Sequence, residues 1–461
     1  MITNLTLSDI FSKFNSIFTD YITVVLLIFC GIFFTFKSRF VQVRCFFEGV
    51  RSIFPKNHPK TKNNRGVSPF AALATAVGSQ VGTGNIVGVA AAILIGGAGS
   101  VFWMWVSAFF GMATIYAEAV AAQITRKKSE NGTLVGGPVH YISAAFSSPF
   151  GKILCSTFAL SATVAFGFVG SMVQSNAVGG ILFESFGISK CITGIILASL
   201  SFCAFSGGVT RISSISEKIV TLMAVIFMAV CIFVLMKNFA LLPKAFALIF
   251  RSAFGIESAA GGFVGAALKK TIAEGTKKGL FSNEAGMGTT PHIHAVAEAE
   301  SPHAEGVVAM LGVFIDSFVI LTLTALVMIC GLLNVGTAGA EDVNMNNLML
   351  ISLSQTIGEL PAKIIECIAL LLFGFSSIIS WNYFGRVNFL YLFGKKINLY
   401  YSLFSAAFVF LGCLCNGEFV WAIADINNIF LVLPNVISLL KSYKNVFSKA
   451  NLGTIDKFRQ L

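Results

Sequence analysis

Stretches of about 20 nearly uncharged residues recur along this chain, each long enough to cross the hydrocarbon of a bilayer as one helix. They fall near 18–36, 68–95, 101–124, 153–182, 190–208, 217–236, 263–299, 307–333, 362–385, 397–415 and 418–440. Within a bilayer every backbone N–H and C=O must find its partner inside the protein. The predicted fold class is therefore all-α and polytopic, with about eleven transmembrane helices. Composition agrees: 56% of the 461 residues are hydrophobic and 11% charged, where a soluble domain has about a quarter charged. The same figures exclude disorder, a coiled coil and a secreted disulfide scaffold. Ten cysteines are dispersed among apolar runs, and the closest pair, Cys413 and Cys415, has no His or Asp beside it to complete a metal set. One Lys precedes the first apolar run and no small-residue cleavage pattern follows it, so no removed signal peptide is expected.

A formal net charge of +11 would point to nucleic acid in a soluble protein. Here the basic residues collect in alternate loops, and no nucleic-acid partner is expected. Lys37, Arg39, Arg44, Arg51, Lys56, Lys60, Lys62 and Arg65 face Glu48 alone between the first two spans. Arg126, Lys127, Lys128 and Lys152 follow the third span, Arg386, Lys395 and Lys396 the ninth, and Lys441, Lys444, Lys449, Lys457 and Arg459 fill the tail. Taking that side as cytoplasmic places the N-terminus outside and the C-terminus inside, as an odd number of spans requires.

Two spans are not ordinary lipid-facing helices. The second holds Gly78-Ser79-Gln80-Val81-Gly82-Thr83-Gly84-Asn85, and the seventh holds Gly279-Leu280-Phe281-Ser282-Asn283-Glu284-Ala285-Gly286-Met287-Gly288-Thr289-Thr290-Pro291. Backbone leaves the helix at membrane depth only where protein or a water-filled cavity satisfies its groups. A single Gly-x-Gly often marks only close helix packing. Here each interrupted span is followed by four more, giving inverted five-helix units over 67–236 and 237–440. An extra helix and basic loop (1–66) precede them and a basic tail (441–461) follows. Paired interruptions at matching places are the sequence pointer to a transporter site. A dinucleotide fold is excluded because no strand precedes the glycines.

An interrupted helix has a definite use. N–H groups at the start of the downstream half attract a carboxylate, and carbonyls freed before the break can coordinate a bare cation. An amino acid carried together with a cation fits both ends of such a site.

Several runs then resemble one family. Val81-Gly-Thr-Gly-Asn-Ile-Val-Gly-Val-Ala90 and Gly279-Leu-Phe-Ser-Asn-Glu-Ala-Gly-Met-Gly288 look like signatures of the alanine/glycine:cation symporters of bacteria and archaea. Gly99-Ser-Val-Phe-Trp-Met-Trp105, Met172-Val-Gln-Ser-Asn176 and Trp381-Asn-Tyr-Phe-Gly385 are similar to its motifs too, and the likeness runs from about residue 20 to 440. The resemblance implies the leucine-transporter fold, whose last ten helices form a five-plus-five inverted repeat. It also implies Na⁺-coupled uptake of alanine, glycine and D-alanine across the cytoplasmic membrane, with no cofactor and no enzymatic step.

Carried onto this sequence, the resemblance gives residue roles. Backbone N–H groups around Thr83, Gly84 and Asn85 would hold the substrate carboxylate. The segment Phe281 to Gly286 would receive the ammonium, with Asn283 as a polar contact. Gln174 on the fourth span would donate to the carboxylate, or else bond another helix. Trp381 and Met287 would limit the side chain to a small one. Ser376 and Ser377 on the ninth span, with the carbonyls of Gly78 and Val81, would form the Na⁺ site. Ser stands there where relatives more often have Thr, which keeps the oxygen and loses the stiff χ1 of a β-branched residue.

Other polar groups stay open at this level. Glu118, Glu284 and Asp316 lie within spans, where an ionisable group is functional or paired. His292 and His294 suit either a proton relay or a structural role. Lys269, Lys270, Glu274, Lys277 and Lys278 suit an amphipathic helix along a wet vestibule, with Lys270–Glu274 and Glu274–Lys278 four apart. Proton coupling and an uncoupled amino-acid facilitator are the alternatives to Na⁺ symport. A channel would need a pore ring of carbonyls or charges, and an intramembrane enzyme a nucleophile–base or metal set; neither is present. No phosphate loop for ATP-driven transport occurs. Oligomeric state is not legible.

Overall fold

The computed structural model describes residues 22–53, 66–129, 132–205, 207–255, 264–335, 343–394 and 398–449. Lys56, Lys60, Lys62, Arg65, Lys395, Lys396, Lys457 and Arg459, all used for orientation above, lie outside these residues. The helices used below are α1 (Val24–Lys37), α2 (Pro69–Gln80), α3 (Val87–Gly96), α4 (Ser100–Thr125), α5 (Pro149–Phe186), α6 (Lys190–Phe205) and α7 (Gly208–Lys237). They continue as α8 (Val264–Asn283), α9 (Pro291–His294), α10 (Pro302–Val335), α11 (Glu359–Phe393), α12 (Asn398–Leu414) and α13 (Gly417–Lys449).

Every segment expected to span the membrane contains helix. By length and apolarity α4, α5, α7, α10 and α11 can each cross a bilayer, and α2 with α3 makes a bent sixth; α1, α6 and α12 are shorter apolar helices. The outer face of α7 leaves Leu222, Val225, Ile232, Phe233 and Met236 exposed, a stripe suited to lipid and not to water. Short helices absent from the expected scheme join the long ones, among them Phe46–Ser52, Pro138–Ala145, Leu242–Ala253 and Leu348–Ile357. A two-stranded hairpin pairs Lys127–Lys128 with Leu134–Val135.

Helix starts follow local chemistry. Ser68 caps α2 by accepting from the Ala71 N–H at 3.1 Å, and Ser301 caps α10 through the Ala304 N–H at 3.0 Å, each with Pro at the next position. Small residues set the central packing. A Cβ on Gly275 would lie 2.3 Å from the Ser100 carbonyl oxygen, and one on Gly279 2.3 Å from the Ser107 hydroxyl. These glycines, four apart on α8, let its backbone approach α4 as small residues do between membrane helices.

The seventh segment, expected to resume as a half-helix up to residue 299, differs. After its break only the single turn α9 is helical, and the chain then runs extended beside the start of α2. Val67 N–H donates to the Val296 carbonyl at 3.1 Å, and Glu298 N–H donates to the Val67 carbonyl at 2.9 Å. Strand-like pairing to Val67 satisfies groups that a second half-helix would have satisfied internally. Two long helices also contain π-helical stretches, Thr163–Val169 in α5 and Phe314–Leu321 in α10, and both face the breaks.

Candidate substrate and ion site

The first break is short. The axes of α2 and of the segment Thr83–Gly96 differ by 61°. Val81 ends α2, and a 3₁₀ turn at Thr83–Asn85 leads into α3. The Asn85 and Ile86 N–H groups bond back to the Gly82 and Thr83 carbonyls. Thr83 N–H donates to Gln174 Oε1 at 3.1 Å. That leaves the Gly84 N–H with no acceptor among the described residues, beside the unpaired amides that open any helix. A Cβ on Gly84 or on Gly88, one turn further, would meet nothing within 4 Å. These two glycines present bare backbone to open space.

The second break is longer and closed. Glu284, Gly286 and Gly288 take φ of 58°, 85° and 74°. The left-handed conformation is free for glycine and strained for Glu284. A buried carboxylate braces this turn: Glu118 of α4 accepts from Gly286 N–H at 3.2 Å and Gly288 N–H at 3.0 Å. Asn435 of α13 donates both to Glu118 Oε1 at 2.6 Å and to the Gly286 carbonyl at 2.8 Å, and Tyr141 donates to the Asn435 Oδ1. Glu284 itself accepts from Trp381 Nε1 at 2.7 Å and from the Ser79 hydroxyl at 3.0 Å.

Two direct bonds and one bridging carboxylate tie the breaks together. Besides Ser79 to Glu284, Gln80 Nε2 donates to the Asn283 carbonyl at 2.8 Å. Asp316, in the π-helical part of α10, accepts from Asn85 Nδ2 at 2.6 Å and from the Ser282 hydroxyl at 3.0 Å. Asp316 thus bridges both interrupted helices through neutral donors, together with its neighbour Ser317. A carboxylate with three hydrogen bonds is the kind of fully satisfied buried acid that specifies one arrangement.

Between the breaks lies a cavity of about 130 Å³. It is lined by Gly82, Gly84, Gly88, Gln174, Phe281 and Met287, with Trp381 and Phe166 as aromatic walls, and by Lys278, Trp421 and Asn428. Gly84, Gln174, Phe281, Met287 and Trp381, all anticipated, therefore meet at one space. Four anticipated residues do not. Asn85 is fully buried and given to Asp316 and to Gly82 N–H. Asn283 folds onto Ala285 N–H and faces α4, where a Cβ on Gly111 would meet its side chain. Gly286 is held between Glu118 and Asn435. All three hold bracing positions: the Asn85 N–H, offered to the carboxylate, donates to the Gly82 carbonyl, and the Gly286 N–H goes to Glu118. Thr83 is also buried outside its lining, and it acts through its N–H to Gln174. Gln174 itself was expected to donate; its carbonyl accepts from Thr83, leaving Nε2 toward the cavity.

Ser376 and Ser377, the side chains expected to hold the ion, lie on α11 against the end of α2. Ser377 Oγ donates to the Gly78 carbonyl at 3.0 Å. Ser376 bends back to the Phe373 carbonyl at 2.9 Å and touches Met223 sulfur at 3.6 Å. Ser380, one turn along from Ser376 and not anticipated from the sequence, lies beside them. Its hydroxyl is fully buried and has no partner among the described residues, and a Cβ on Gly78 would lie 3.1 Å from it. Spacing of four from Ser376 was the available signal.

The remaining polar groups resolve locally. His292 is buried between the Thr289 carbonyl (2.7 Å) and Asn388 Nδ2 (2.7 Å), and His294 meets Glu305 at 2.6 Å, so both brace the turn after the break. The helix through Lys269 and Lys278 packs one face on α4. Lys278 lines the cavity, with its ammonium 5.9 Å from the Trp421 ring centre.

A bundle of apolar helices in which two interrupted ones line one cavity is the architecture of a multi-pass membrane transporter. Solved structures share the fold: a manganese transporter of Eremococcus coleocola superimposes with a TM-score of 0.57 at 13% identity, covering 86% of this chain and 83% of that one. MhsT in complex with L-phenylalanine gives 0.55 at 15% identity, covering 84% and 93%. These likenesses are of fold. The profile of the sodium:alanine symporter family matches residues 4–452, and the chain belongs to that family. It is 36% identical over 435 residues to the probable sodium/glutamine symporter GlnT of Bacillus subtilis, covering 94% of this chain and 88% of the relative. With the sodium/alanine symporter AgcS of Methanococcus maripaludis it shares 37% over 420 residues, 90% of each.

Proposed function

We propose that this chain carries small neutral amino acids, alanine and glycine foremost and D-alanine with them, into the cell together with Na⁺. The observation that carries the reading is the floor of bare backbone at Gly84 and Gly88, with the free Gly84 N–H and Gln174 Nε2 beside it. A carboxylate laid there meets donors and the positive end of α3. The ammonium would turn toward Ser79, Phe281 and the Glu284 carboxylate, and the walls of Trp381, Met287 and Phe166 leave room for a short side chain.

For Na⁺, the reading uses the Gly78 and Val81 carbonyls with the hydroxyls of Ser377 and Ser380, whose unpartnered oxygen suits a bare cation better than Ser376, already turned to Phe373. Hard oxygen ligands of this kind match an alkali cation. The transport cycle would move two inverted units, 67–236 and 237–440, about the site in eleven crossings, with the N-terminus outside and the basic loops in the cytoplasm.

Lys278 and Asn428, polar groups in the cavity lining, favour a second substrate with a longer polar side chain, glutamine. The test is uptake of labelled L-alanine into proteoliposomes under an inward Na⁺ gradient, then under a proton gradient. Na⁺-driven uptake inhibited by glycine and D-alanine but not leucine is expected, and inhibition by glutamine would establish the second substrate. Uptake driven by protons alone, or by neither gradient, would refute the Na⁺ symport of alanine.

A further inference from the structure

Away from the cavity, the segment between α1 and α2 brings three metal-ligating side chains together. Cys45 separates the short helix Val41–Arg44 from Phe46–Ser52, Glu48 lies one turn further, and His303 is the second residue of α10. The Cys45 sulfur, a Glu48 carboxylate oxygen and a His303 ring nitrogen all lie within 4.8 Å of one another. From these positions we infer a transition-metal site, of Zn²⁺ type, that clamps the Phe46–Ser52 helix to α10.

Packing, and not the polar groups, sets the geometry. Phe46 and Phe314 meet edge to face at 4.7 Å, and Gly49 sits so close to α10 that a Cβ would lie 2.6 Å from the Val307 carbonyl oxygen. Cys45 and Glu48 are thereby delivered to His303. The imidazole is oriented from behind: the Tyr116 hydroxyl lies 2.7 Å from His303 Nδ1. This is the outer-shell support that metal-bound histidines use. Nε2 is then aimed into the cluster, 3.2 Å from a Glu48 oxygen and with no hydrogen bond of acceptable geometry among the described residues. Cys45 is 2% exposed and His303 9%, whereas the Glu48 side chain is half exposed. An ion can enter past Glu48, and a water can complete the fourth position.

One sulfur, one imidazole nitrogen and one carboxylate oxygen form a set for a tetrahedral borderline-soft ion; Mg²⁺ and Ca²⁺ would want oxygens throughout. Binding requires the Cys45 thiol to release its proton to solvent as the S–metal bond forms, and His303 to keep its remaining proton on Nδ1, facing Tyr116. The site is independent of which amino acid is carried.

The test uses the full chain, purified in detergent and stripped with a chelator, titrated with Zn²⁺ against a chromophoric competitor. One equivalent of tight binding is expected, with a rise in melting temperature. Cys45→Ser and His303→Gln should each abolish both, and Glu48→Gln should weaken binding about tenfold. Co²⁺ in the unaltered protein gives a reading that needs no variant: an intense thiolate-to-cobalt band and tetrahedral visible absorption. Absence of that band, no stoichiometric binding, or affinity undiminished in Cys45→Ser and His303→Gln would overturn the site and leave an ordinary His–Glu contact.

Discussion

The two interrupted helices solve one problem in opposite ways. Where α2 gives way to α3, the turn is short, glycines face the cavity and the Gly84 N–H is left without an acceptor. Where α8 ends, three residues in left-handed backbone are braced by Glu118, Asn435 and Trp381, and the Gly286 and Gly288 amides are spent inside the protein. Among the described residues that line the cavity, the backbone donors left for a ligand belong to the first break. The second supplies walls, through Phe281 and Met287, and rigidity. Paired motifs in a sequence therefore need not mean paired roles.

This contrast is open to attack at its strongest point first. Removing the brace with Glu118→Ala leaves the Gly286 and Gly288 N–H groups buried without their acceptor, while Asn435 Nδ2 keeps the Gly286 carbonyl. At about 1–3 kcal/mol for each such group, the expected loss is about 3 kcal/mol or more. Thermal unfolding of the purified protein should fall steeply, and an unchanged melting temperature would mean that the second break does not depend on Glu118. Next comes the bridge. Asp316→Asn replaces one acceptor oxygen by an NH₂ facing the donors of Asn85, Ser282 and Ser317, with an expected cost of about 2 kcal/mol. The melting temperature should drop and uptake should slow in the same preparation. Uptake unaffected by this change would uncouple the bridge from transport. The smallest effect is expected at the ion site. Ser377→Ala removes one hydroxyl beside the Gly78 carbonyl and should raise the Na⁺ concentration for half-maximal uptake several-fold, about 1 kcal/mol, with the alanine dependence at saturating Na⁺ nearly unchanged. An unaltered Na⁺ dependence would move the ion elsewhere.

Much of this architecture was legible in the residues. Long uncharged runs located the helices, and glycines with polar neighbours at mid-span located both breaks, because nothing else in an apolar helix tolerates them. What escaped was rotation. Along an intact helix the 3.6-residue period tells which side chains share a face. At a break that period stops, so Asn85 and Asn283 could be placed near the site but not on one side of it. Partners remote in sequence were equally invisible: nothing near Glu118 announces Asn435, which reaches it from α13. The truncated return at α9 also had no local signal, since its substitute is pairing with Val67, far upstream.

The most direct measurement is Na⁺-dependent binding of labelled alanine to Gly84→Val, set beside its melting temperature. An added side chain there meets no protein atom within 4 Å at its Cβ and projects into the cavity. The account predicts binding weakened at least about tenfold, about 1.4 kcal/mol, with thermal stability held. Alanine bound as tightly as by the unaltered protein would contradict it, and the ligand would then have to lie against the second break.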